Sequence, residues 1–293
     1  MLAAESARPF GDNGQVSRSQ FAFAVVAQAF RPALAVSRFA GNGSCLPSTF
    51  RSTALNRILV ALDVESRAEA IALADALRGS VGGFKIGSRL FTAEGPSIVR
   101  ALVERGDRIF LDLKFHDIPN TVATAVAAAT ELGAWMVNVH ATGGVMMMRA
   151  ARAAAHESAA SRGVTPPLVI AVTVLTSMNE AVLRETGVVI DMMDQVLRLA
   201  ELAREAQLDG VVASPRETAA IRSRFGPDFA IVTPGIRGGA AATSKDDQER
   251  TMSPADALAA GASYLVVGRP IIAASNPRDA AEKIGRELSA VRR

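Results

Sequence analysis

From Arg57 onward the chain repeats one pattern: a short apolar run, then a longer Ala-rich stretch whose apolar positions recur at helical spacing. The apolar runs predict strands over 58–63, 83–86, 109–114, 135–140, 168–174, 210–213, 230–233 and 264–268. The stretches between them predict helices over 67–77, 96–105, 121–132, 145–158, 192–206, 215–224, 254–260 and 277–291. Eight strands, each followed by a helix, is the count for a closed (β/α)8 barrel, so residues 57–293 read as one α/β domain of TIM-barrel type. The structural alternative is a doubly wound open sheet. Its expected Gly-x-Gly-x-x-Gly after the first strand is missing, because that strand runs into Leu62-Asp63-Val64-Glu65.

Residues 1–56 break the pattern. They mix Ser, Arg, Gly and Pro without a sustained period, and their one apolar run, Phe21 to Phe30, is about half a membrane span and is followed by Arg31-Pro32. The segment reads as a disordered extension or an upstream start, with a targeting peptide as the weaker reading. It also explains the charge. Five arginines against Glu5 and Asp12 supply the whole net charge of +3, while the remaining 27 basic and 27 acidic side chains cancel. The barrel therefore carries no general polyanion-binding surface, and any anion site in it must be local. Aromatic residues make up 5% of the chain, too few for a nucleic-acid stacking platform. The single cysteine, Cys45, lies in the extension, so neither a disulfide framework nor a thiol nucleophile is expected in the barrel; a reducing cytoplasm fits.

Polar or otherwise special residues fall at the C-terminal ends of the predicted strands, the rim where barrel enzymes carry their active sites. They are Asp63, Lys85, Asp112 with Lys114, His140, Thr176 with Ser177, Ser214, Pro234-Gly235 and Gly268-Arg269. The densest group is Phe-Leu-Asp-Leu-Lys-Phe-His-Asp at 110–117. Strand alternation puts Asp112 and Lys114 on one face, with Asp117 just beyond the strand end. Charges on a buried strand cost several kcal/mol unless they pair. A structural ion pair would satisfy that requirement; the company of polar residues on every other strand end favours a site. At the end of the barrel, Arg269 alone would read as a surface ion pair, but Gly268 and Arg269 after the eighth strand with Arg237 after the seventh read as a local phosphate site, since Gly permits close backbone approach and Arg binds phosphate in bidentate fashion. A long polar loop, 238–253, contains Gln248 and has the length of a functional lid or a disordered segment.

Taken in order, Leu62-Asp63, Phe84-Lys85-Ile86-Gly87, Asp112-Leu-Lys114-Phe-His-Asp117-Ile-Pro-Asn-Thr121, Val172-Thr-Val-Leu-Thr176-Ser177-Met178, Thr233-Pro-Gly-Ile-Arg237, Asp247-Gln248 and Gly268-Arg269-Pro270 resemble the orotidine 5'-phosphate (OMP) decarboxylase family. The resemblance covers about residues 57–293, departs at Gly238, where many members have proline, and has no counterpart for the extension. It implies cofactor-free conversion of OMP to UMP in pyrimidine synthesis. It further implies that Lys114 is the general acid in an array with Lys85, Asp112 and Asp117, and that Asp63 and Lys85 hold ribose hydroxyls. Thr176 and Ser177, with Pro234 nearby, would hold the pyrimidine. Arg237, Gln248, Gly268 and Arg269 would hold the phosphate, and Asp117 and Thr121 would complete the neighbouring site of a homodimer.

The chemistry asks for the same groups. Loss of CO2 leaves a carbanion without an electron sink, so a cation must stand beside that carbon and then deliver a proton. A lysine among carboxylates stays charged, which suits an acid and argues against a Schiff base. Two other readings remain at this level: a metal-dependent sugar-phosphate decarboxylase of the same barrel group, with Asp63, Asp112 and Asp117 on Mg2+, and a catalytically silent barrel that binds nucleotide phosphate. His116, His140 and Met146-Met147-Met148 read as packing residues.

Overall fold

The computed structural model describes residues 54–236 and 252–291. Among them, eight parallel strands close into a barrel in chain order: β1 (Ile58–Ala61), β2 (Gly83–Gly87), β3 (Ile109–Phe115), β4 (Met136–His140), β5 (Leu168–Val172), β6 (Gly210–Val212), β7 (Ala230–Thr233) and β8 (Tyr264–Val267). Closure is made by β1 on β8, with Ile58 opposite Leu265 and Leu59 opposite Val266. Every residue of β1 is buried, as expected for a strand covered on both faces. Alternation then sorts the strand. Leu59 and Ala61 turn inward to meet Phe110, Ile170, Val232 and Val266, whereas Ile58 and Val60 turn outward under the helices. Each large apolar side chain so buried contributes about 1.5–3 kcal/mol.

Helices begin where local chemistry allows. Ser66, Asn179, Asp191, Ser253 and Asn276 each accept a hydrogen bond from a backbone N–H of the first turn they cap. Pro96, Pro119, Pro254 and Pro277 occupy first helical positions, where the missing N–H costs nothing. The helix expected from 215 starts at Thr218, after a turn that begins at Ser214. Short helices at Ser88–Glu94, Glu180–Glu185 and Arg269–Ile272 lie in stretches to which the sequence pattern assigns no element. A 3-10 turn, Ala54–Arg57, precedes β1, and Leu55 packs on the core.

The two ends of the barrel differ. The chain's one tryptophan and one tyrosine, Trp135 and Tyr264, meet edge-on at 5.3 Å at the N-terminal end, with the Arg108 guanidinium 4.8 Å above the indole. The C-terminal end instead opens on a cavity of ≈ 340 Å3. No helix among the described residues is long and apolar enough to cross a membrane.

Candidate active site

The cavity takes its walls from the strand ends: Asp63 after β1, Lys85 on β2, Asp112 and Lys114 on β3, Thr176 after β5, Pro234 after β7, and Gly268 and Arg269 after β8. Its floor is apolar, from Ala61, Phe110, Val172, Val212, Val232 and Val266. A volume of ≈ 340 Å3 with few convergent polar groups is the profile of a small-molecule site.

Four charges form a chain along these walls. Lys114 Nζ donates to Asp112 Oδ1 at 2.7 Å, Lys85 Nζ lies 3.3 Å from Asp112 Oδ2, and the same ammonium lies 3.4 Å from Asp63 Oδ1. Exposure rises towards the outer members: the Asp112 and Lys85 side chains are 11% and 12% exposed, Lys114 35% and Asp63 59%. Burial pushes the Asp112 carboxyl up, but the charges of Lys85 and Lys114, with hydrogen bonds from Lys114 and Asn138, outweigh it and hold the pKa below the ordinary value. Gly87 makes room for this arrangement, because a Cβ there would stand 3.1 Å from Lys85 Nζ.

Lys114 does not reach Asp112 by plain strand alternation. Leu111 is paired with Val137, but Phe115 is already paired with Val139, so the β3–β4 register shifts between them. Within this bulge Lys114 has a φ of 52°, in the left-handed region. Such a backbone costs a side-chain-bearing residue roughly 1–3 kcal/mol and persists only where surrounding contacts impose it. Here Asn138 on β4, buried to 1% exposure, accepts the Lys114 backbone N–H at 2.8 Å and donates from Nδ2 to Asp112 Oδ1 at 2.7 Å. Neither Asn138 nor Gly87 had been given a role from sequence. A lone amide inside the apolar run Met136-Val137-Asn138-Val139 was the available signal, since a buried amide must find partners.

Other expected residues lie further out. Asp117 is exposed beyond β3, accepts the Ile118 backbone N–H at 2.6 Å, and makes no ion pair with Lys114 among the described residues. Thr121 is exposed on the helix Pro119–Glu131. Ser177 sits exposed in the turn after Thr176 and does not line the cavity. Arg237 and Gln248 lie outside the described residues, although Ile236 and Met252 pair and bring the ends of that loop together. The rings of His116 and His140 stand 5.4 Å apart; burial, then the neighbouring His116 and Lys114, lowers the His140 pKa. Among the described residues no group of three His, Cys, Asp or Glu is placed to hold a metal ion.

The family model described as Orotidine 5'-phosphate decarboxylase / HUMPS matches residues 56–284. The chain is 53% identical over 248 residues to the orotidine 5'-phosphate decarboxylase of Moorella thermoacetica, covering 84% of this chain and 98% of that one. It is 54% identical over 235 residues to the namesake protein of Alkalilimnicola ehrlichii, covering 80% and 97%. Among solved structures, the orotidine 5'-phosphate decarboxylase of Lactobacillus acidophilus superposes with a TM-score of 0.71 at 37% identity, over 80% of this chain and 99% of that one. A cavity at the C-terminal rim, four alternating charges in it and this extent of shared sequence lead to one assignment: the chain belongs to the orotidine 5'-phosphate decarboxylase / HUMPS family.

Proposed function

We propose that this site converts OMP to UMP, with Lys114 as the proton donor. The observation that carries the reading is the unbroken chain Lys114–Asp112–Lys85–Asp63 at 2.7, 3.3 and 3.4 Å along the wall of one cavity. In the reaction the bond from the pyrimidine ring to its carboxylate breaks, CO2 leaves, and the electron pair stays on the ring carbon. The Lys114 ammonium stabilises that pair and then gives it a proton; solvent returns the proton to the amine. Asp112 faces the substrate carboxylate, so charge repulsion is relieved as CO2 departs.

The remaining groups hold the substrate. Asp63 and Lys85 take the ribose hydroxyls, and Thr176 and Pro234 face the pyrimidine, with Ser177 in the exposed turn next to Thr176. Gly268 and Arg269, with Arg237 and Gln248, grip the phosphate, whose binding energy is used to close the site over the reacting carbon. Asp117 and Thr121, exposed beyond β3, complete the site of a second copy in a homodimer. The metal-dependent alternative has less in its favour, because Asp63 and Asp112 are each paired with an ammonium group.

The test is to incubate the purified chain with OMP, in buffer with and without excess EDTA, and follow the orotate absorbance. A steady fall is expected. No fall in either buffer would overturn the reading, and a fall abolished by EDTA would favour the metal-dependent one.

A further inference from the structure

The structure assigns Asn138 as a positioning residue for the proton donor, an inference that rests on the decarboxylase reading above. Asn138 does not line the cavity, yet its whole hydrogen-bonding capacity that the structure records is directed at the two groups that form the innermost pair there. Its Oδ1 accepts the Lys114 backbone N–H, a donor that the shifted β3–β4 register would otherwise leave without a strand partner. Its Nδ2 donates to Asp112 Oδ1, the same oxygen that accepts the Lys114 ammonium. The three bonds close a ring running from the Lys114 backbone through Asn138 and Asp112 back to Lys114 Nζ, at 2.8, 2.7 and 2.7 Å.

The requirements of that ring are narrow. One side chain must accept and donate at once, which a carboxamide does and an apolar or carboxylate side chain does not. It must also stay neutral, because Asp112 is already held ionised by two lysines. By locking both ends of the Lys114–Asp112 pair, Asn138 keeps Lys114 in the left-handed bulge with a φ of 52° and aims its ammonium into the cavity. Without it the strained backbone is free to relax into an ordinary strand, and the ammonium is displaced from the reacting carbon. The substrate-holding residues Asp63, Thr176, Gly268 and Arg269 would be untouched, since they come from other strand ends and make no bond to Asn138 or Asp112 among those the structure records.

Asn138→Ala and the isosteric Asn138→Asp separate the possibilities. The first removes both bonds; the second keeps the shape and the acceptor for the Lys114 N–H but loses the donor to Asp112. Both are expected to lower kcat by roughly 100-fold, the usual cost of a misplacement near 1 Å, with KM for OMP and Kd for UMP kept within about threefold. Should Asn138→Ala not fold, Asn138→Asp is read alone. A kcat within about twofold of the unsubstituted chain in either folded variant overturns the assignment. So does loss of UMP binding in step with turnover, or failure of both variants to fold, either of which makes Asn138 a residue of the fold. If the unsubstituted chain itself leaves OMP intact, the decarboxylase reading falls instead, and the assignment with it.

Discussion

At the scale of single residues, the site is a balance of charge in which each group's state depends on its neighbour. Asp112 remains ionised although buried because two ammonium groups lie within 3.3 Å. Removing Lys114 therefore has two effects: it takes away the proton donor and the cation facing the carbanion. Lys114→Ala is expected to leave less than about a hundredth of the turnover while the protein stays folded and binds UMP, because Lys85 continues to neutralise Asp112. Rates measured with OMP alongside titration with UMP check this; substantial residual turnover would transfer the role to another group. These residues were legible in sequence as Asp112-x-Lys114. The path by which they meet was not, because a bulge depends on how β3 and β4 pair across 24 residues.

At the scale of elements, the starts of most strands were readable and their ends were less so. All but β4, which starts one residue late at Met136, begin at the residues expected, but β1 stops at Ala61 and β5 at Val172, short of the polar residues at the rim. The reason is physical: near the C-terminal rim the chain leaves the hydrogen-bonded ladder while its side chains are still buried, so hydrophobicity outlasts pairing. The short helices at Ser88–Glu94 and Glu180–Glu185 escaped notice because segments of that length owe their helicity to packing. Strand spacing yields its own prediction. A Cβ on Gly210 of β6 would stand 2.0 Å from the Ala230 carbonyl oxygen of β7, a backbone atom that cannot move aside without parting the strands. Gly210→Ala should lower stability by about 1–3 kcal/mol or more in chemical denaturation. An unchanged midpoint would mean that the barrel tolerates widening at that seam.

At the scale of the whole molecule, closure of the eight strands converts residues scattered from Asp63 to Arg269 into the wall of one cavity, and the loop beyond β3 carries Asp117 away from that wall. Ile118 and Met146 are 66% and 70% exposed nearby, apolar surface of the kind that a second copy would cover. If Asp117 serves a neighbour, Lys114→Ala and Asp117→Ala homodimers are each nearly inactive, but a hybrid pairs one doubly damaged site with one native site. After full subunit exchange of an equal mixture about half the dimers are hybrid, so activity should return to roughly a quarter of the unsubstituted level. Exchange verified by native mass spectrometry without recovery would place Asp117 in its own subunit's site. By itself the sequence determined the βα alternation, the barrel class and the identity of the charged groups at the rim, because periodicity and residue type are local and are written in order along the chain. Only the tertiary structure decided that Lys114 stands in a left-handed bulge, that Asn138 bonds its backbone N–H there, and that Ser177 lies exposed outside the cavity lining. Those outcomes depend on strand register and on contacts between elements far apart in sequence, and no local pattern carries them.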